Sequence, residues 1–353
     1  MRICVVGPSR FPVREPFAGG LEAHTHALVR SLAARGHRVT LFAAPGSDPA
    51  LRARTLDVPP LVLSDDARRD VAAPPEWWMR EQHAYLGVML ELMRHGHGFD
   101  VVHNNSLHHL PIAMASALPV PVITTLHTPP LPWLESAVAL AGHTSGFVAV
   151  SDSTRERWAH AVDAQVVHNG VDPAVWRRGP GGARAVWTGR LVPEKAPHEA
   201  VRAALGAGLA IDLVGPVGDA SYVEEHVAPL LSDRVRYLGH LPQLQVREVV
   251  ARARVALVSP VWEEPFGLVA AEAAMTGTPV AAYARGGLPE IVTRRVGVLA
   301  PPGDVDALAR AALLACGLDR RAVRAEAVRC WGLDEMVRRY ERVYQDVAGL
   351  WAA

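Results

Sequence analysis

Apolar residues fall along this chain in short runs, and the runs alternate with longer amphipathic segments. Each run is rich in valine, isoleucine, leucine or alanine, which is typical of a strand buried on both faces, while the segments between them have helical spacing. This alternation predicts an α/β chain with parallel sheets and crossover helices. Strands are predicted over residues 3–7, 38–43, 101–103, 122–126, 147–150, 165–168, 185–188, 211–215, 235–238, 255–258, 280–283 and 296–299.

The predicted elements divide into two halves of one domain's length each. Residues 1–170 and residues 171–333 are expected to form two doubly wound, Rossmann-like domains, with the linker beginning at residues 169–173. A last helical pattern within residues 334–353 has no strand after it, so we expect it to cross back onto the first domain. In the first half, helices are predicted to begin near Gly20, Pro75, Leu131 and Asp152.

Composition excludes several classes of protein. Lys plus Arg and Asp plus Glu both number 36, so general binding of nucleic acid is not expected. The three cysteines show no metal-binding spacing, and three prolines interrupt the longest apolar stretch, residues 110–126. We therefore expect a soluble, cytoplasmic protein with no membrane segment, no metal and no cofactor.

One basic residue differs in kind from all the others. Of the 36 basic residues only Lys195 is lysine, and it follows Arg190 in a segment between a predicted strand and a predicted helix. A lysine kept among arginines suggests that a compact point charge is needed there. An Arg/Lys pair at the end of a strand can hold a diphosphate and stabilise its charge as it leaves a sugar.

A second constellation combines two acidic residues with one helix. Pro265 and the helix formers after it predict a helix start, and Gly277 ends the helix. Glu264 precedes the start and Glu272 lies two turns along an otherwise apolar helix, where both carboxylates can bind vicinal hydroxyls. The first backbone amides of this helix are expected to be free for an anion or for sugar hydroxyls. They belong to Phe266, Gly267 and Leu268.

With these motifs the chain resembles the retaining glycosyltransferases of family 4, which have the GT-B fold. The resemblance covers nearly the whole length, and its most specific part is the Arg190/Lys195 loop followed by the Glu-x7-Glu element from Glu264 to Glu272. Three weaker motifs agree with it: Gly-Gly-Leu-Glu-Ala-His at 19–24, Asn-Gly-Val-Asp at 169–172 and Gly-Gly-Leu-Pro-Glu at 286–290.

The resemblance implies a role for each site residue. Arg190 and Lys195 hold the donor diphosphate with help from the Gly20 amide, and Glu272 binds the ribose. Glu264 and the amides of Phe266, Gly267 and Leu268 bind the transferred sugar, while His127 lies beside the sugar and the acceptor. The loop of Gly286 and Gly287 is expected to present further amides. By the same resemblance, residues 1–170 with the C-terminal helix bind the acceptor, and residues 171–333 bind the donor.

The resulting hypothesis is a retaining, metal-independent transferase that moves a sugar from a nucleoside-diphosphate sugar to an acceptor hydroxyl. UDP is the favoured base and GDP is possible; the acceptor is not identified. The alternatives are a nucleotide-sugar epimerase of the same fold and a non-catalytic module that binds nucleotide sugars.

Two other sequence features resemble functional motifs. Asp304 and Asp306 have the Asp-x-Asp form of metal-dependent glycosyltransferases, but they precede a predicted helix and are better explained by N-capping. Trp77 and Trp78 are expected to pack in the core rather than to form a sugar platform.

Overall fold

The computed structural model of the chain describes residues 1–52, 54–55, 60–141 and 145–352. Its strands lie close to the apolar runs of the sequence. The first half contains β1 (Arg2–Val6), β2 (Arg38–Ala43), β3 (Arg54–Thr55), β4 (Val101–Asn104), β5 (Val122–Leu126), β6 (Ser145–Ala149) and β7 (Ala164–Val166). The second half contains β8 (Ala185–Thr188), β9 (Ile211–Val214), β10 (Val235–Tyr237), β11 (Val255–Val258), β12 (Val280–Tyr283) and β13 (Gly297–Ala300).

The strands form two sheets in which every named pair is parallel. The first sheet has the order β3-β2-β1-β4-β5-β6-β7, and the second has the order β10-β9-β8-β11-β12-β13. In both sheets the order reverses direction beside a central strand, which is the doubly wound arrangement. The two-residue strand β3 was not predicted, because it is too short to show an apolar pattern.

Helices cover the faces of the two sheets. Those of the first half are α1 (Gly20–Ala34), α2 (Asp65–Arg68), α3 (Glu76–His95), α4 (Leu110–Ala113), α5 (Pro132–Ala141) and α6 (Asp152–Trp158). Those that follow are α7 (Pro197–Gly206), α8 (Ala220–Tyr222), α9 (Gln243–Ala251), α10 (Leu268–Met275), α11 (Leu288–Ile291), α12 (Val305–Ala315), α13 (Arg320–Trp331) and α14 (Leu333–Ala352). Within the described residues, no helix combines the length and the apolar composition needed to cross a bilayer.

The last helix returns to the first half of the chain, as the sequence predicted. Val337, Tyr340 and Tyr344 of α14 are completely buried, in one apolar cluster with residues of β1, α1 and β4. Large, fully buried side chains contribute most to such packing. Helix α14 therefore contributes to the core of the first domain. Of the predicted segment 334–353, residue 353 lies outside the described residues.

The chain crosses between the two halves twice, at adjacent places. Val171 on the outgoing crossing pairs with the returning segment, donating to Trp331 O at 2.8 Å and accepting from Leu333 N at 3.0 Å. Gly170 is packed so tightly that a Cβ atom there would lie 2.7 Å from Leu333 Cα. Since no other residue fits at that distance, the glycine of the Asn-Gly-Val-Asp motif has a packing role at the hinge.

Candidate active site

A cleft of about 590 Å³ lies between the two halves of the molecule. Its walls include the start of α1 and the residue after β5 on one side, and the segments that follow β8 and β11 on the other. Ligands of open α/β sheets bind beyond such carboxyl ends of strands. All nine site residues predicted from the sequence line this one cleft: Gly20, His127, Arg190, Lys195, Glu264, Phe266, Gly267, Leu268 and Glu272.

The loop after β8 is shaped by a close approach of two backbones. Gly189 has φ +154°, and a Cβ atom on Gly215, which also has a positive φ, would lie 1.8 Å from Gly189 O. Beyond this contact, Leu191 N donates to Pro216 O at 2.9 Å and ties the loop to the end of β9. Arg190 and Lys195 are thus carried at the cleft on a loop whose backbone is fixed at its start.

Lys195 forms an ion pair inside the cleft. Its Nζ lies 2.5 Å from Glu264 Oε2, and both side chains are largely buried. Trp262 completes the group, since its Nε1 donates to the same carboxylate oxygen at 3.1 Å and its ring lies 4.8 Å from the ammonium. Trp262 was not predicted from the sequence, although its position two residues before Glu264 could have suggested a contact.

Arg190 keeps more freedom than Lys195. Its side chain is 42% exposed, and its nearest carboxylate partner, Glu194, lies 3.9 Å away. An exposed contact of that length is weak. The guanidinium is therefore only weakly held at the edge of the cleft, while Lys195 has close partners in Glu264 and Trp262.

The helix that carries Glu272 begins three residues later than the sequence predicted. Helix α10 starts at Leu268, and Gly267 before it has φ +90°, so the predicted start at Pro265 is wrong. The chain turns at Gly267, where a Cβ atom would lie 2.5 Å from a side-chain carbon of Leu288. In the described part of the chain, the amides of Phe266, Gly267 and Leu268 have no protein acceptor. These amides remain free to donate into the cleft.

The first domain holds this loop from the other side. Ser151 Oγ and Thr154 Oγ1 both donate to Pro265 O, at 2.5 and 3.1 Å. Both hydroxyls are buried at the start of α6. The residue that follows Glu264 is therefore fixed by direct contact between the two halves of the molecule.

A further contact between the halves involves Glu290. Its carboxylate accepts from the amides of Asp152 and Ser153, each at 2.9 Å, and contacts His168 Nε2 at 3.0 Å. Asp152, His168 and Glu290 are the one group in the described residues with three potential metal ligands within 4.8 Å of one another. Because amide donors already occupy the Glu290 carboxylate, we interpret this cluster as a set of hydrogen bonds that joins the two halves rather than as a metal site.

The loop of Gly286 and Gly287 does not present free amides to the cleft, so that expectation is wrong. Gly286 N donates to Glu263 Oε2 at 3.0 Å, and Gly287 N donates to Glu264 O at 2.7 Å. Gly286 has φ +56°, and a Cβ atom there would lie 2.1 Å from Glu264 O. The two glycines therefore serve to hold the backbone of Glu264.

Glu272 is partly exposed at the cleft, and every other residue of its helix, α10, is apolar. The residues on both sides of it in α10, Ala271 and Ala273, are completely or almost completely buried. Burial raises the pKa of the Glu272 carboxyl to about 8, because desolvation disfavours its charged form. A carboxyl group with this pKa at the cleft is a strong candidate for a functional group.

The start of α1 forms the opposite wall. The Gly20 amide has no protein acceptor within the described chain, and it stands at the positive end of a helix of 15 residues. Glu22 in the same turn is buried, and burial raises the pKa of its carboxyl, against the effect of nearby amides and of Arg190. Glu22 belongs to the Gly-Gly-Leu-Glu-Ala-His motif, but no role for it was predicted from the sequence.

His127 extends from the first sheet into the cleft just after β5. Its Nε2 is hydrogen-bonded to Asn105 Oδ1, and its ring packs against that of His24, with centroids 5.0 Å apart. Burial, and to a smaller extent the neighbouring His24 and His103, hold the pKa of His127 well below its usual value. His127 is therefore a neutral imidazole at pH 7.

The structure also tests the interpretation of the Asp304/Asp306 pair and of the Trp77/Trp78 pair. Asp304 Oδ1 accepts from Ala307 N at 2.7 Å at the start of α12, so the interpretation as an N-cap is confirmed. Trp77 is 65% exposed, so the prediction that it packs in the core is wrong. Trp78 is partly buried and lies against the exposed Trp133, with ring centroids 6.5 Å apart.

Comparison with known proteins supplies the context for this cleft. Residues 18–175 match the family Glycosyltransferase Family 4, and residues 173–325 match Glycosyl transferases group 1. A glycogen synthase from Mycobacterium tuberculosis is 30% identical, over 88% of this chain and 85% of its own. A D-inositol 3-phosphate glycosyltransferase from Mycolicibacterium paratuberculosis is also 30% identical, over 98% of this chain and 91% of its own.

Solved structures share the fold over the full length. The Anabaena protein HepE, in complex with UDP and glucose, has a TM-score of 0.76 at 20% identity and covers 98% of this chain and 100% of its own. AviGT4, a glycosyltransferase involved in avilamycin A biosynthesis, has a TM-score of 0.73 at 24% identity and covers 99% of this chain and 98% of its own. Fold and site thus define a glycosyltransferase with the GT-B fold. The chain belongs to glycosyltransferase family 4.

Proposed function

We propose that the protein transfers a sugar from a nucleoside-diphosphate sugar, with UDP as the favoured base, to an acceptor hydroxyl. Transfer proceeds with retention of configuration and needs no metal ion. The observation that carries this proposal is the meeting of two cations and two carboxyl groups in one cleft: Arg190, Lys195, Glu264 and Glu272. The complex of HepE with UDP and glucose, a protein of the same fold, supports UDP as the base.

The donor is assigned along the wall of the second half. Glu272, in the apolar helix α10, binds the ribose hydroxyls, and Arg190 and Lys195 bind the diphosphate. Glu264, with the free amides of Phe266, Gly267 and Leu268, binds the transferred sugar. The Gly20 amide at the start of α1 faces the diphosphate from the other half.

Binding of the donor requires an exchange of partners. Lys195 and Glu264 neutralise each other at 2.5 Å. When a nucleoside-diphosphate sugar binds, Lys195 pairs with the diphosphate and Glu264 accepts hydrogen bonds from the sugar hydroxyls. Neither buried charge is then left without a partner. Trp262 stays beside Glu264 and keeps its carboxylate in place through the exchange.

The chemistry then rests on position and charge. The diphosphate gains negative charge as its bond to the sugar breaks, and the positive charges of Arg190 and Lys195 stabilise it. An acceptor hydroxyl held by the first domain attacks from the face that the diphosphate leaves, and a leaving phosphate oxygen takes its proton. Residues 1–170 with α14 accordingly bind the acceptor, and residues 171–333 bind the donor.

The chemical class of the acceptor is left open by this site. The relatives include a glycogen synthase and a D-inositol 3-phosphate glycosyltransferase, whose names indicate a polysaccharide and a small phosphorylated polyol. A panel of both acceptor types with UDP-glucose, followed by chromatography of nucleotides and sugars, tests the proposal. UDP release that depends on one acceptor supports a transferase. An altered nucleotide sugar supports an epimerase, and binding without turnover supports a module that only binds.

A further inference from the structure

A chain of hydrogen bonds connects helix α1 to His127 through two buried side chains. Thr25 Oγ1 donates its one proton to Leu21 O at 2.8 Å. The Thr25 oxygen must therefore accept from Asn105 Nδ2, which lies 2.7 Å away. This contact fixes which end of the Asn105 amide faces Thr25. It leaves Asn105 Oδ1 directed to His127 Nε2.

The direction of this chain determines where His127 carries its proton. Asn105 Oδ1 can only accept, so Nε2 of His127 must be the donor. In a neutral imidazole the other nitrogen, Nδ1, then has a free lone pair. Thr25 and Asn105 are completely buried, so water does not compete for these hydrogen bonds.

We propose that Asn105, oriented by Thr25, fixes the tautomer of His127, so that Nδ1 accepts a hydrogen bond from a sugar hydroxyl in the cleft. The proposal rests on the proposed function, since it takes the sugar of the donor as the ligand. Asn105 and Thr25 are positioning residues and do not themselves touch the sugar. The opposite tautomer would present an N–H to the cleft and would leave the hydroxyl proton without an acceptor.

The other groups around His127 agree with a neutral ring. His24 on α1 is buried, neither of its ring nitrogens has a hydrogen-bond partner among the described residues, and burial lowers its pKa to about 4. His103 on β4 is bonded to Thr125 and to Tyr344 of α14, and burial lowers its pKa to about 3. Among the described residues no carboxylate contacts the His127 ring. None of these groups therefore favours the charged, imidazolium form of His127.

A pocket built to accept a hydroxyl proton discriminates strongly against a ligand that lacks it, because its own polar atom is then left unpaired. The deduced tautomer thus assigns His127 a part in choosing the sugar. A UDP-sugar that lacks the hydroxyl facing Nδ1 is expected to be a poor donor.

The first test reads the tautomer directly, without any substrate. Protein with ¹⁵N-labelled histidine is examined by long-range ¹H–¹⁵N correlation, and His127→Gln identifies the His127 signals. We expect a protonated Nε2 and an unprotonated Nδ1 from pH 8 down to about pH 5, well inside the range in which an ordinary histidine becomes charged. A ring protonated at Nδ1, or an equal mixture of tautomers, overturns the proposal. Because no donor is used, this result is independent of the proposed function.

The second test reverses the charge on the partner. In Asn105→Asp a carboxylate faces Nε2, so the His127 pKa rises and the imidazolium form gains a proton on Nδ1. Hydrolysis of UDP-glucose, measured as UDP release, is expected to be at least about tenfold slower than wild type at pH 6 and to recover as pH rises. A rate in Asn105→Asp with the pH profile of the wild type overturns the proposal.

Thr25 supplies the matched controls. Thr25→Ser keeps the hydroxyl and should keep both the tautomer and the rate, whereas Thr25→Val removes the hydroxyl that orients Asn105 and should give a mixed tautomer. Equal tautomer populations in the two variants contradict the role assigned to Thr25. If wild-type protein neither binds nor hydrolyses UDP-glucose while the tautomer is as deduced, the proposed function has failed and the hydrogen-bond chain has not.

Discussion

Lys195 Nζ lies 2.5 Å from Glu264 Oε2, so the cation proposed for the diphosphate and the carboxylate proposed for the sugar are partners of each other. The two residues stand on different loops, one after β8 and one after β11. Their pairing connects the two ends of the proposed donor site. A change at either residue should therefore alter the environment of the other.

Replacement of the two cations should impair turnover severely. Lys195→Ala and Arg190→Ala each remove a charged contact to the leaving diphosphate, so kcat/KM with UDP-glucose should fall more than about tenfold. Lys195→Arg should also be poor, since a larger guanidinium with delocalised charge replaces the compact point charge of the ammonium. Steady-state UDP release measures all three variants. Near-normal turnover in Lys195→Arg would contradict the argument from the single lysine.

The reaction should need no divalent metal. Arg190 and Lys195 supply the positive charge that a metal ion would otherwise give, and Asp304 is engaged as a helix cap. UDP release from UDP-glucose should be unchanged, within about twofold, after treatment with EDTA and after addition of manganese or magnesium. Activity that EDTA abolishes and manganese restores would be evidence against this account.

The backbone position of Glu264 should depend on a glycine at residue 286, because a side chain there would collide with it. In Gly286→Ala the new Cβ would lie 2.1 Å from Glu264 O, and the residue would also be held at positive φ. The melting temperature should fall by several degrees, since each kcal/mol of lost stability lowers it by about 2–4 °C in a domain of this size. UDP-glucose turnover should fall as well. Gly208→Ala is the control, because Gly208 has φ +74° but nothing within 4 Å of its Cβ position. Equal effects of the two substitutions would show that backbone strain alone matters.

The raised pKa of Glu272 should make stability depend on pH. Its value of about 8 in the folded protein exceeds the usual 4.5 of a carboxyl. The folded state therefore binds the proton more tightly than the unfolded state, and this tighter binding stabilises the fold. The stabilisation is fully present below pH 4.5 and is lost as pH rises through 8. Glu272→Gln stays neutral throughout, so its melting temperature relative to wild type should increase from pH 5 to pH 9 by at least about 2 °C. Parallel melting curves across that range would contradict the assignment.

Much of the architecture could be predicted from the sequence. Buried parallel strands require continuous apolar runs, so β2, β5, β8, β11 and β12 lie at the predicted residues. The predicted start of α10 was wrong because Pro265 is a good first residue of a helix, while the turn at Gly267 depends on contact with Leu288. Tertiary contacts of this kind leave no periodic signal in a sequence.

The candidate site could be predicted only in part, because some of its residues are defined by tertiary contacts. Charged residues in a known order suggested Arg190, Lys195, Glu264 and Glu272. Asn105 could not be found, because its role depends on hydrogen bonds to Thr25 and His127, 80 and 22 residues away along the chain. The amides of Gly286 and Gly287 were expected to be free, but their acceptors, Glu263 and Glu264, become neighbours only in the folded protein.

The most direct test of the account is calorimetric titration of wild type, Glu272→Gln and Glu264→Gln with UDP and with UDP-glucose. At pH 9, where the Glu272 carboxyl with its pKa of about 8 is ionised, Glu272→Gln should bind both ligands about tenfold more weakly, because both contain the ribose. Glu264→Gln should bind UDP as tightly as wild type or more tightly, since Lys195 loses its competing partner, but it should bind UDP-glucose no better than UDP. If Glu264→Gln loses UDP while Glu272→Gln binds it normally, the placement of the donor in the cleft is wrong.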